Sequence, residues 1–167
     1  LYAMQPTETD INNRDSYDYS KLMRAALEGR LEDAEHFIQL GADLNIKNVH
    51  GEIGLILSIL YHEKSGITEA LIKAGALVNE QDNSGKTALH RAATRDINLV
   101  KILLAANADP VLRDVPGLTP RNRAIQRCNE NNQLAAILSG RTESSNTIQL
   151  KEIITILEKA EQDYKSK

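Results

Sequence analysis

Apolar residues gather along the chain in short blocks that alternate with polar, glycine-bearing stretches. Leu22-Met23-Arg24-Ala25-Ala26-Leu27 leads through Glu28-Gly29-Arg30 to a second block ending in Phe37-Ile38, and Ala88-Leu89-His90-Arg91-Ala92-Ala93 leads to Leu99-Val100-Lys101-Ile102-Leu103-Leu104. Blocks of this length predict pairs of short helices. The polar stretches between the pairs keep step with one another. Gly41-Ala42-Asp43 recurs as Gly75-Ala76-Leu77 and as Asn107-Ala108-Asp109, at separations of 34 and 32 residues, and His50-Gly51, Ser84-Gly85 and Pro116-Gly117 recur at the same 34 and 32. Two independent markers agree on one period, and a period in the range of roughly 20–50 residues marks a stacked-repeat architecture.

Each marker has a physical reason. Gly41 and Gly75 fall just past a second helix, where a left-handed backbone closes the helix without a Cβ clash; Asn107 does the same less comfortably. Asn48, Asp82 and Asp114, each three residues before a turn glycine, can hydrogen-bond the backbone ahead of them. Thr87 is placed to cap the next helix, and Thr119 repeats the device with Pro120 at the first helical position, where a missing N–H costs nothing.

A turn and two short helices repeated near this period resemble the ankyrin-repeat family, most clearly in Asp82-Asn83-Ser84-Gly85-Lys86-Thr87-Ala88-Leu89-His90-Arg91-Ala92-Ala93. The resemblance implies an all-α ankyrin-repeat solenoid of stacked helix–turn–helix units with hairpin loops. Four units are expected, at 17–47, 48–81, 82–113 and 114–140. Residues 1–16 read as a lead-in or an N-terminal cap. Unit two replaces the family's Thr-Pro-Leu-His by Ile53-Gly54-Leu55-Ile56, and its loop from His62 to Gly66 is longer. Unit four places Arg121 where unit three has Leu89, a position that requires the charge to reach solvent or a partner. Residues 141–146 read as a polar linker. Thr147 is expected to cap a last helix bearing Leu150, Ile153, Ile154, Leu157, Ala160 and Tyr164 at helical spacing, either as a terminal cover for the stack or as a partner-binding helix.

Composition narrows the classes of function. Apolar residues make up 41% and charged residues 26%, the mixture of an ordinary soluble domain. The longest apolar run, Ile53 to Tyr61, is broken by Gly54 and Ser58 and is far short of the roughly 20 residues that a bilayer span needs. The N-terminus carries no basic-then-apolar pattern of a secretory signal. With one cysteine, Cys128, no internal disulfide can form and a reducing compartment is the natural expectation. Charge is uneven: residues 1–85 hold 7 Lys/Arg against 14 Asp/Glu, residues 86–167 hold 13 against 9.

Catalytic chemistry finds little support. His36, His50, His62 and His90 are scattered over different units with no i, i+4 pair. His90, at the family's Thr-Pro-Leu-His position, is expected to make structural hydrogen bonds between repeats. Cys128 has Arg127 beside it but no histidine near in sequence to act as base. Phosphate loops and nucleophile elbows are missing from the sequence. No enzyme activity, cofactor or metal is expected.

The resemblance implies that a partner protein is gripped by the hairpin tips and the concave face of the first helices. Carried over unit by unit, the contact positions are Val49, His50, Glu52, Leu60 and Tyr61; Asn83, Ser84, Lys86, Arg91, Thr94 and Arg95; and Val115, Leu118, Arg123, Gln126 and Arg127. Lys86, Arg91, Arg95, Arg123 and Arg127 are expected to form a basic strip, with Leu60 and Tyr61 as an apolar anchor beside it, suited to an acidic, partly apolar segment of a protein. A nucleic acid or anionic lipid on the same strip is disfavoured by a pI near 5.8 and by the lack of interleaved aromatics. A targeting module of a longer protein is a further reading. A cytoplasmic monomer is expected; Asn, Ile and Lys suit an AT-rich genome, and ankyrin proteins that intracellular bacteria release into a host cytosol are one setting for such a chain.

Overall fold

The computed structural model describes residues 11–61, 66–138 and 145–166, and only the backbone at 61 and 134–138. Among them it contains helices and turns and no named strand: α1 Lys21–Glu28, α2 Leu31–Gln39, α3 Gly54–Tyr61, α4 Gly66–Lys73, α5 Ala88–Ala92, α6 Ile97–Ala105, α7 Pro120–Leu138 and α8 Ser145–Lys165. They fall into two compact units that divide between Asn83 and Ser84.

In the first unit α1 packs on α2 and α3 on α4, while α1 also meets α3 and α2 meets α4. First helix touches first helix and second touches second, so each pair buries its apolar side against the next. Leu22, Met23, Ala25 and Ala26 from α1 and Leu55, Ile56, Leu57 and Ile59 from α3 are buried together with Ala34, Ile67 and Leu71. The ends of α1 follow local rules. The Ser20 hydroxyl accepts from the Met23 N–H, and Gly29 closes the helix at φ 71°.

The first repeat starts earlier than residue 17. Asp15 accepts from the N–H groups of Tyr17 and Tyr19, its own N–H donates to the Tyr19 carbonyl, and Asp18 takes φ 65°. The second repeat builds the same turn on Asn48, which accepts from His50 and Glu52 ahead of Gly51 at φ 73°. The segment before it is docked as well: Ile11 is buried and the Asn12 side chain accepts from the Asp43 N–H, as Asn45 does from Leu77 one repeat later. Residues 11–16 therefore belong to the folded unit, while residues 1–10 lie outside the described residues, as does the loop from His62 to Ser65.

The second unit repeats the pairing. Helix α5 packs on α6 and α7 on α8, with α5 against α7 and α6 against α8. This corrects the expectation that 114–140 holds a helix pair of its own: one helix runs from Pro120 to Leu138, and its antiparallel partner is α8. The segment after Thr119 carries no glycine until Gly140, so nothing in it breaks the helix early. The last helix is thus the second member of the fourth pair, burying Leu150, Ile153 and Leu157. It begins at Ser145, so Thr147 lies buried inside its first turn instead of capping it; residues 141–144 of the expected linker lie outside the described residues. Arg121 finds the partner its position requires, pairing with Glu158 at 3.0 Å and with Glu161 of α8, whose carboxylate also accepts from Thr119.

Candidate partner-binding surface

The turns that precede the first helices are four copies of one device, at Asp15–Asp18, Asn48–Gly51, Asp82–Gly85 and Asp114–Gly117. At Asp15, Asn48 and Asp114 a short acidic or amide side chain folds back on the amides ahead of it, and in all four turns a left-handed residue reverses the chain. Asn83 donates its N–H to the His50 carbonyl and its side-chain amide to the Val49 carbonyl, both at 2.9 Å. In the second unit the Val115 N–H donates to the Ser84 carbonyl at 2.9 Å. The Val49, His50 and Ser84 carbonyls are therefore each held by the tip that follows, and the side chains beside them face outward. Val49 is 63% exposed and Val115 is 74% exposed; His50 and Ser84 are exposed too.

Behind the third tip stands a polar network. Thr87 caps α5 by accepting from the His90 N–H, while the Thr87 N–H and hydroxyl both face His90 Nδ1, at 3.2 and 2.9 Å. Nδ1 is thereby the acceptor, so the proton sits on Nε2, which donates to the Leu118 carbonyl at 3.0 Å. His90 joins two repeats as a neutral imidazole. Leu118, expected as a contact, spends its carbonyl on this framework.

Of the expected basic strip, Arg95 and Arg127 are exposed and Lys86 and Arg91 are half-buried. Arg127 reaches Glu130 only at 3.5 Å. Arg123 is a different kind of residue. It closes on Asp114, whose side chain is wholly buried, and also reaches Gln126. Burial pushes the Asp114 carboxyl up, but the Arg123 hydrogen bond, the Leu118 N–H and the Arg123 charge together hold it below the usual carboxylate range. Arg123 thus fixes the tip from behind and is withdrawn from the strip. Thr94 donates to the Arg91 carbonyl and Glu52 accepts from the Asn48 amide. Leu60 is half-buried, and the Tyr61 side chain lies outside the described residues.

The sequence reading missed the first tip. Arg24 lies 4.7 Å from the Tyr19 ring and 5.4 Å from that of Tyr17, which is 70% exposed, and it binds Asp15. The hydrogen bond from Arg24 is the largest influence lowering the Asp15 carboxyl, and the same bond raises the Arg24 guanidinium. A signal was present: Asp15 stands five residues before its cap and nine before its arginine, as Asp114 does before Thr119 and Arg123.

A family model described as three copies of ankyrin repeats matches residues 22–114. The chain belongs to the ankyrin-repeat family. Ankyrin repeats generally mediate protein–protein interaction and are generally non-catalytic. Among relatives, an ankyrin repeat protein of Acanthamoeba polyphaga mimivirus is 40% identical over 77 residues, 46% of this chain and 19% of that protein. Intracellular phospholipase A2 of Caenorhabditis elegans is 33% identical over 109 residues, 60% of this chain and 10% of the enzyme. Inversin of Gallus gallus is 47% identical over 53 residues, 31% of this chain and 5% of inversin. The ankyrin match thus spans a fifth or less of each of these relatives. No helix among the described residues is long and apolar enough to cross a membrane.

Proposed function

We propose that this chain is a non-catalytic module that binds a partner protein through its repeat tips and the exposed side of its first helices. The observation that carries this is the outward display at the tips: Val49, His50 and Val115 are exposed on turns, while the Val49, His50 and Ser84 carbonyls are bonded within the frame. Apolar groups at such positions add nothing to the core, and a binding face needs them. In the second unit the exposed Arg95 and Arg127, with the half-buried Lys86, favour an acidic and partly apolar segment as ligand. Arg123 is excluded from that role by its pairing with Asp114. The other expected contacts, Glu52, Leu60, Tyr61, Asn83, Ser84, Arg91 and Thr94, border these side chains along the chain.

A second reading is a targeting module within a larger protein. The relatives favour it, because in each of them the matched stretch is a small part of a long chain. A cytoplasmic setting, in the organism's own or a host's cytosol, fits both readings and the buried free thiol of Cys128.

The test is affinity capture from cell lysate with the wild type beside a variant in which Lys86, Arg95 and Arg127 are all changed to Glu, after matching their helical circular dichroism. A protein retained by the wild type and lost by the variant supports the acidic-segment reading. Equal retention moves the contact to the tips.

A further inference from the structure

The two halves of α8 are held in different ways. Leu150, Ile153 and Leu157 bury the first part of the helix in the second unit. Continued at helical spacing, the next inward positions are Ala160, Glu161 and Tyr164. None of them carries an aliphatic chain to continue the row. Ala160 offers only a methyl, Glu161 turns to Thr119 and Arg121, and the Tyr164 hydroxyl donates to Asp109 at 2.9 Å. The end of the helix is thus tied down by polar groups beside a cavity of about 270 Å³.

Leu104 of α6, Ala108 and Pro110 in the turn after it, and Ala160 of α8 give this cavity an apolar floor. Ala108 and Pro110 are buried, and Leu104 and Ala160 are half-buried. The rim is polar, formed by the exposed Asn107, Asp163 and Tyr164. Its charge runs against that of its surroundings. Lys and Arg outnumber Asp and Glu by 13 to 9 over residues 86–167. Yet among the described residues no basic side chain lines the cavity, and the Asp163 carboxylate makes no ion pair. Apolar walls facing an unfilled space forgo dispersion contacts, and a carboxylate at the mouth draws a cation. The volume lies just below the range of about 300–1,000 Å³ typical of pockets for drug-sized ligands, so the cavity suits a single short chain.

We propose that this cavity binds an ammonium group carried on an aliphatic stem of about the length of a lysine side chain. The stem lies against Leu104, Ala108, Pro110 and Ala160, and the ammonium, with three donors to place, meets Asp163 at the rim. An anion of the same shape is repelled there, and an uncharged chain leaves the carboxylate unused. The protein-binding reading above uses Lys86, Arg95 and Arg127, none of which lines this cavity, so each can fail alone.

The probe is n-butylammonium, titrated into isotope-labelled protein at constant ionic strength and followed by nuclear magnetic resonance. Expected are saturable shifts of the Asn107, Ala108 and Asp163 amides with a dissociation constant on the order of 1 mM. On the same protein n-butanol binds several-fold more weakly and butyrate gives no saturable shift. Asp163→Asn, at an exposed position, weakens butylammonium about threefold and leaves butanol unchanged. Ala160→Met places a side chain in the cavity and abolishes the shifts, whereas Arg95→Glu leaves them intact. Nα-acetyl-lysine N-methylamide carries the same ammonium on a peptide backbone. Binding comparable to that of butylammonium assigns the site to a lysine side chain of a protein, and binding of butylammonium alone assigns it to a free amine. The proposal is overturned by the absence of saturable shifts up to about 20 mM butylammonium, by butanol or butyrate binding as tightly to the unaltered protein, or by unchanged affinity in Asp163→Asn.

Discussion

Where the second repeat starts its first helix with Ile53, Gly54, Leu55 and Ile56, all buried, the third starts with Thr87 and His90 in a network of four polar contacts. Both helices do the same task of presenting an apolar side to the neighbouring pair. The apolar version is non-directional: each fully buried Leu or Ile contributes about 1.5–3 kcal/mol, whichever rotamer it finds. The polar version contributes about 1 kcal/mol per hydrogen bond but leaves buried donors unsatisfied when one member is lost. The second repeat even hides its polar exception. Ser58 donates to the Leu55 carbonyl at 2.8 Å, so its hydroxyl must accept from Thr68, 2.9 Å away on α4. The lesson is that one frame can be held by bulk or by geometry, and that the two should fail differently.

The largest effects should come from bulk. Leu57→Ala in α3 and Leu103→Ala in α6 remove fully buried side chains and are each expected to lower the unfolding free energy by about 3 kcal/mol in urea titrations. Leu57→Met should cost less than about 1.5 kcal/mol, and a larger loss would show that α3 also depends on shape. Next comes the charge behind the last tip. Asp114→Ala strands Arg123 and is expected to cost about 3 kcal/mol. Because the folded carboxyl is held below its unfolded value of about 3.9, its contribution is complete above that pH and disappears as pH falls through the folded value. Thermal unfolding between about pH 5 and pH 2 should thus fall more steeply in the wild type than in Asp114→Asn; parallel curves would remove this pair from the acid response.

Geometry gives the intermediate effects. His90→Ala leaves the Thr87 amide and the Leu118 carbonyl without their partner and should cost about 2 kcal/mol. Ser58→Ala strands Thr68 for about 1 kcal/mol, whereas Ser58→Ala with Thr68→Val should return close to the wild type, a non-additivity readable in a double-mutant cycle. The smallest stability effect is Arg95→Glu, exposed and expected to change stability by less than about 0.5 kcal/mol while weakening an acidic partner. Unaltered binding would remove Arg95 from the candidate surface.

The period, the turn glycines, the Thr87 and Thr119 caps and the structural part of His90 were legible because each rests on a local rule that a short stretch of sequence carries. The last pair was not. Helix length is set by what stops a helix, and between Pro120 and Leu138 nothing does, so a period learned from three repeats misplaced the fourth. The first tip was missed for a similar reason, since Asp18 stands where the other tips have glycine. On the surface, Arg91, Arg95, Arg123 and Arg127 look alike in sequence; only the buried carboxylate of Asp114 separates a framework arginine from an exposed one.

The lone thiol turns the last helix pair into its own timepiece. Cys128 is buried in α7, whose packing partners are α5 and α8, and the chain has no other cysteine to compete for a reagent. A thiol-reactive dye added to unlabelled, unmodified protein can therefore react only as fast as that packing opens. The ratio of its rate to that of a free thiol gives the opening free energy of the fourth pair directly, separate from the unfolding of the remainder.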